Sequence, residues 1–304
     1  MGIGFGRTLF VSALLLGMTA GAHVTAQDDL DKTFQEGVQL LRQGKDEEAL
    51  EKFKAILKED PANDEVYRLW SKTQEDVWIR MLLKRGEFEQ VARALIEKAT
   101  VERKRRMADE EMIQPLVKEA LGKEFAARRA ATIKLASDHG EFAVPSLIGA
   151  LGDPDAEDAQ IYAQQALVTM GPQATLPLLA ALESDNAMLR RNIVITLRRL
   201  QDARACGALK LLAQKDEDPL VRNLAGEALG HLGARADAPE RLFLALAEAY
   251  RTQDPKMVGH FEQGDTVWEW ENGRLASRRV PALSYPFEIS RQAAFRALAA
   301  NPAY

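Results

Sequence analysis

At 304 residues the chain is long enough for two modest domains or for one elongated stack of repeating units. Charged residues make up 28%, aromatics 7% and hydrophobic residues 46%, a balance that fits a folded chain and excludes wholesale disorder. A net charge of -5 removes the broad electrostatic basis for a nucleic-acid backbone as the main ligand, and the single cysteine, Cys206, excludes an intramolecular disulfide and a cysteine-built metal site.

Residues 1–26 read as a signal peptide: Arg7 supplies the positive start, an apolar run extends from Leu9 through Met18, and small residues lead to Val24-Thr25-Ala26. The run, about ten residues long, is short for crossing a bilayer. Cleavage ahead of Gln27 is expected, with an uncleaved anchor as the alternative. The absence of a cysteine after the run excludes a lipoprotein anchor. No later stretch is apolar enough to span a membrane, so the mature chain is expected to be soluble and periplasmic or extracellular.

Residues 27–111 carry a first type of helix pair. Phe34, Gly37, Leu40 and Leu41 precede the turn at Gly44, and Ala49, Phe53 and Ile56 follow it, before Pro61 stops the second helix. Gly37 and Ala49 are small where two helices must approach closely. This segment resembles one TPR repeat. A weaker copy has its turn at Gly86-Glu87-Phe88 and its apolar face at Val91, Leu95 and Ile96, 42 residues after the first. The TPR period is about 34, so the intervening helix, Asp64 to Lys84, is expected to be long or to hold an insertion, with Trp70 and Trp78 in its core. The run Arg103-Lys104-Arg105-Arg106 is read as a solvated helix end.

Residues 112–304 change to a shorter unit. Leu116, Leu147, Leu178 and Leu209 recur every 31 residues on first helices. Second helices carry Ala163 and Ala166, Thr196 and Leu197, then Ala225, Ala228 and Leu229, and Gly140, Gly171 and Gly233 close three of them. In the clearest unit an Asp218-Pro219 turn caps a helix whose buried stripe is Val221, Ala225 and Ala228, with Arg222 in reach of a turn aspartate. From Met112 to Gly233 this pattern resembles the HEAT-like repeats found in many bacterial proteins. Gln160 stands where Arg190 and Arg222 stand in their own repeats, so an arginine ladder is expected to be interrupted there. A fifth unit is split: Leu242, Leu246 and Ala249 mark its first helix, and Arg291, Ala294, Ala297 and Leu298 its second.

Between these halves, at about 251–287, lies an insertion with alternating residues across Asn272-Gly273, a hairpin turn signal. A two-residue turn pairs Glu271 with Arg274, Trp270 with Leu275, Trp268 with Ser277 and Val267 with Arg278. Trp268, Trp270 and Leu275 then form an apolar sole, expected to pack on Tyr250, Phe261 or the last helix, and Val267, Glu269, Glu271, Arg274 and Arg278 a mostly charged top. The alternative reading makes the two tryptophans a hot spot for a partner. The end at Tyr304, with no polar capping helix, is read as a truncation or as continuing into a partner.

The fold expected is therefore an all-α, right-handed α-solenoid of stacked helix pairs, TPR-like then HEAT-like, with one small inserted β-hairpin. A search for catalytic constellations finds none: His139, His231 and His260 are scattered, no metal site can be placed, and no cofactor is expected. Arg191, Arg198 and Arg199 lie on one helix and are candidates for gripping an acidic partner, or else form a solvated face. The function placed first is a non-catalytic extracytoplasmic scaffold binding a protein or peptide, with no nucleic acid. Second comes an enzyme of the bilin-lyase type, implied by the HEAT-like resemblance, or a docking part of a longer polypeptide.

Overall fold

The computed structural model describes residues 16–234, 236–255 and 265–303, with side chains from residue 29 onward. Arg7, His260 and Phe261 lie outside the described residues. The chain is mostly helical and divides into two compact units, Met1–Arg106 and Met107–Tyr304. Among the described residues no helix is long and apolar enough to cross a membrane.

The first unit contains α1 (Leu16–Arg42), α2 (Asp46–Lys58), α3 (Asn63–Lys72), α4 (Glu75–Leu83) and α5 (Gly86–Met107). Phe34, Phe53 and Trp78 meet in its core, with both Phe53 and Trp78 centred 5.5 Å from the Phe34 ring. Gly37 is required where α1 and α2 meet, because a Cβ there would lie 2.9 Å from the Phe53 ring. Leu40 is half-buried, and Leu41 takes the deeper position. The segment from Asp64 to Lys84, expected to be one long helix or to hold an insertion, forms two helices, α3 and α4. Thr73 turns extended (ψ 135°) and its hydroxyl donates to Leu69 O at 2.7 Å, a local side-chain bond that competes with helix continuation. Trp78 is buried, whereas Trp70 is half-buried, stacked on Tyr67. The basic run ends α5, where Arg105 and Arg106 both pair with the buried Glu102 and hold its carboxyl down at about 2, the Arg105 hydrogen bond contributing most.

The second unit stacks α6 (Glu110–Ala120), α7 (Phe125–Lys134), α8 (Val144–Leu151), α9 (Glu157–Met170), α10 (Thr175–Ala181), α11 (Ala187–Leu200), α12 (Cys206–Lys215) and α13 (Pro219–His231). One continuous core runs through them, with Leu147, Leu178 and Leu209 wholly buried one repeat apart. Gly140, Gly171 and Gly233 adopt positive φ at the inter-repeat turns, and Gln201 takes the left-handed helical conformation (φ 53°, ψ 36°) after α11. The Asp218 carboxylate caps α13 by accepting from Leu220 N at 2.9 Å and Val221 N at 3.0 Å.

The expected ladder is present but differs in chemistry. Arg222 donates to its own turn carbonyl, Asp216 O, at 2.6 Å, and Gln160 donates to Asp153 O at 2.5 Å, so the glutamine continues the turn-tying role. An amide N–H satisfies a carbonyl as a guanidinium does, which residue type alone does not disclose. Arg190 links two repeats: its guanidinium forks onto Asp216 at 2.8 and 2.9 Å, with side chains only 11% and 3% exposed.

The split fifth unit is present. α14 (Pro239–Thr252) packs on α15 (Tyr285–Ala300), and the strands β1 (Thr266–Glu271) and β2 (Arg274–Arg279) lie between them in sequence.

Candidate functional site

β1 and β2 pair antiparallel across Asn272 (φ 52°) and Gly273 (φ 77°), both in the left-handed region that such a turn demands. The register is the expected one, with Trp270 opposite Leu275 and Trp268 opposite Ser277. The packing of the faces is corrected. The tryptophan sole also reaches the early repeats: Trp268 lies against Phe142, 5.9 Å between ring centres, and shares a small cavity with Ile289 and Ala293 of the last helix, while Trp270 and Leu275 pack on the main repeat core. The other face is not simply solvated, because Val267 is wholly buried among Leu246, Tyr250, Tyr285 and Ile289. The hairpin base is thus held from both sides, while Arg274 at the tip and Arg278 and Arg279 at the base end of β2 are exposed.

Beneath the base is a polar cluster absent from the sequence expectations. The Trp268 Nε1–H donates to Glu141 Oε2 at 2.7 Å. Burial pushes the Glu141 carboxyl up to about 7 against the Trp268 hydrogen bond, and nearby Asp265 raises it further. The neighbouring cation does not neutralise it directly, since Arg204 Nε lies 3.0 and 2.9 Å from the two oxygens of Asp202. Burial opposes both charges of that pair, yet the hydrogen bonds outweigh it, lowering Asp202 and raising Arg204. Arg204 also donates to Pro172 O at 2.6 Å, and the phenols of Tyr250 and Tyr285 are raised by burial in the same neighbourhood. A carboxyl group titrating near neutrality in such surroundings is suited to giving or taking a proton.

Toward the tip, the hairpin roofs a groove with a cavity volume of about 680 Å³. Its apolar lining is Trp270 and Leu275 above, with buried Ile148 and Leu189 among the facing residues. Its polar lining includes Glu110, Gln114 and Ser146, where Ser146 Oγ donates to Glu110 Oε1 at 3.2 Å, and Arg274 at the hairpin turn.

The arginine candidates are placed elsewhere, on α11. Arg191 forks onto Asp218 and Arg198 pairs with Glu227 at 3.0 Å, while Arg199 is exposed. Two of the three thus have carboxylate partners within the chain. His139 is buried at a helix end, and its Nδ1 donates to Met107 O at 3.1 Å, the only sense a carbonyl acceptor allows. Among the described residues no group of three His, Cys, Asp or Glu is placed to hold a metal.

Comparison with known proteins adds a relation. The chain is 36% identical over 107 residues to Phycocyanobilin lyase subunit beta of Thermosynechococcus vestitus, a match covering 35% of this chain and 50% of that relative. The chain thus aligns with about half the length of the curated relative it matches. No solved structure matches it. This relation overturns the scaffold function placed first from sequence, and favours the bilin-lyase alternative placed second. A family described as HEAT repeats matches residues 175–258, spanning α10 through α14, and with the stacked helix pairs on either side it makes this chain a HEAT-like repeat protein.

Proposed function

We propose that the chain works as a lyase subunit of the bilin type, acting on a linear tetrapyrrole such as phycocyanobilin and delivering it to a thiol on another protein. The observation that carries this reading is the 36% identity over 107 residues to a phycocyanobilin lyase subunit. Two features of the structure support it. Cys206, the chain's single thiol, is 9% exposed and raised in pKa by burial, so it is a poor acceptor and the thiol must come from a partner. The groove under Trp270 and Leu275, about 680 Å³, is of a size that takes a small organic ligand.

The chemistry balances without an oxidant: the acceptor S–H adds across a carbon–carbon double bond of the chromophore, forming one C–S and one C–H bond. The export-type segment at residues 1–26 supports placing this activity outside the cytoplasm. Equilibrium dialysis of the mature chain against phycocyanobilin tests the reading. Retention of about one chromophore per chain is expected, and none retained contradicts it.

A further inference from the structure

We propose that the groove roofed by the hairpin tip is the tetrapyrrole site, with Trp270 stacking on the conjugated rings and Arg274 taking a carboxylate. This rests on the bilin-lyase reading and names the place where that ligand sits. Four observations converge on it. The volume, about 680 Å³, lies within the ordinary range for organic ligands, roughly 300 to 1,000 Å³. The Trp270 and Leu275 side chains are cross-strand neighbours and face a lining that includes buried Ile148 and Leu189, so the groove offers a flat molecule apolar contact from two elements.

The polar lining narrows the ligand further. Arg274 is exposed and has no ion-pair partner among the described residues, leaving its guanidinium fork available to a carboxylate. Glu110 and Asp153 also line the groove, so a simple anion would be repelled, and the ligand must bring hydrogen-bond donors as well as carboxylates. A linear tetrapyrrole has both, with pyrrole N–H groups along its centre and two carboxylate side chains. The fourth observation is the anchoring of the roof: Trp268, two residues before Trp270 on the same face, is fixed to Glu141 and Phe142, so the groove is formed before ligand arrives.

The test is a phycocyanobilin titration of the full mature chain, read by chromophore absorbance, on the wild type and on Trp270→Ala, Trp270→Phe, Arg274→Glu and Arg199→Ala. Binding should weaken about tenfold or more in Trp270→Ala and be largely kept in Trp270→Phe. Arg274→Glu should weaken binding more at low salt than at high, and Arg199→Ala should leave it unchanged. Arg274 is exposed, so its variant remains informative even if Trp270→Ala fails to fold. A wild type that binds while Trp270→Ala and Arg274→Glu bind equally well overturns the site and leaves the lyase reading in place. A wild type that binds no phycocyanobilin overturns the lyase reading, and the site with it.

Discussion

The indole N–H of Trp268 meets the Glu141 carboxylate at 2.7 Å across 127 positions of sequence, tying an inserted hairpin to the turn between two early HEAT-like repeats. This contact fixes where the groove can form, because it seats the strand that carries Trp270.

Its titration has a definite sign. The folded-state value of Glu141, about 7, lies above its ordinary 4.5, so the folded chain binds the proton more tightly than the unfolded one. Protonated Glu141 is tolerated fully below about 4.5, and stability falls as pH rises from there through about 7, by roughly 3 kcal/mol from this group alone. Urea unfolding at pH 5 and pH 8 checks it: the wild type should lose stability relative to Glu141→Gln as pH rises. A difference that does not change with pH would mean that the carboxyl titrates normally.

Trp268→Ala should destabilise the second unit by about 3 to 5 kcal/mol, since it removes a buried indole 5% exposed. Trp268→Phe keeps most of the packing and loses the hydrogen bond to Glu141, costing about 1 to 3 kcal/mol. Thermal unfolding of the two variants separates the contributions.

Arg190 and Arg199 stand nine residues apart on one helix, yet their substitutions should differ sharply. Arg190→Ala strips the inter-repeat fork from Asp216, which is 3% exposed, and is expected to cost about 3 to 5 kcal/mol. Arg199→Ala should fall within about 0.5 kcal/mol of the wild type. Chemical denaturation of both settles whether α11 is chiefly a structural ladder element.

An N-terminus at Gln27 is expected for the exported form, by the three-part pattern of residues 1–26. Intact mass of protein purified from outside the cytoplasm checks it, and retention of Met1–Ala26 would refute cleavage.

Much of this architecture was legible in the residues. The 31-residue leucine spacing located the first helices, and Asn272-Gly273 set every predicted hairpin pair, because a two-residue turn leaves only one register. What was not legible depended on contacts distant in sequence. Thr73 broke a helix through a bond to Leu69 that composition does not reveal, and Gln160 kept a ladder that residue type suggested was cut. Glu141 looked like an ordinary turn residue after Gly140. Only burial under the hairpin, beside Asp265 and an arginine already committed to Asp202, gives it chemistry.

The central claim is tested most directly by chromophore transfer. The mature chain is incubated with phycocyanobilin and a cysteine-containing acceptor protein at pH 7, and mass spectrometry reads acceptor mass over time. The account predicts a covalent adduct of acceptor plus one intact chromophore, forming faster with the chain than without it and slowed in Trp270→Ala. An adduct rate unchanged by addition of the chain would contradict it.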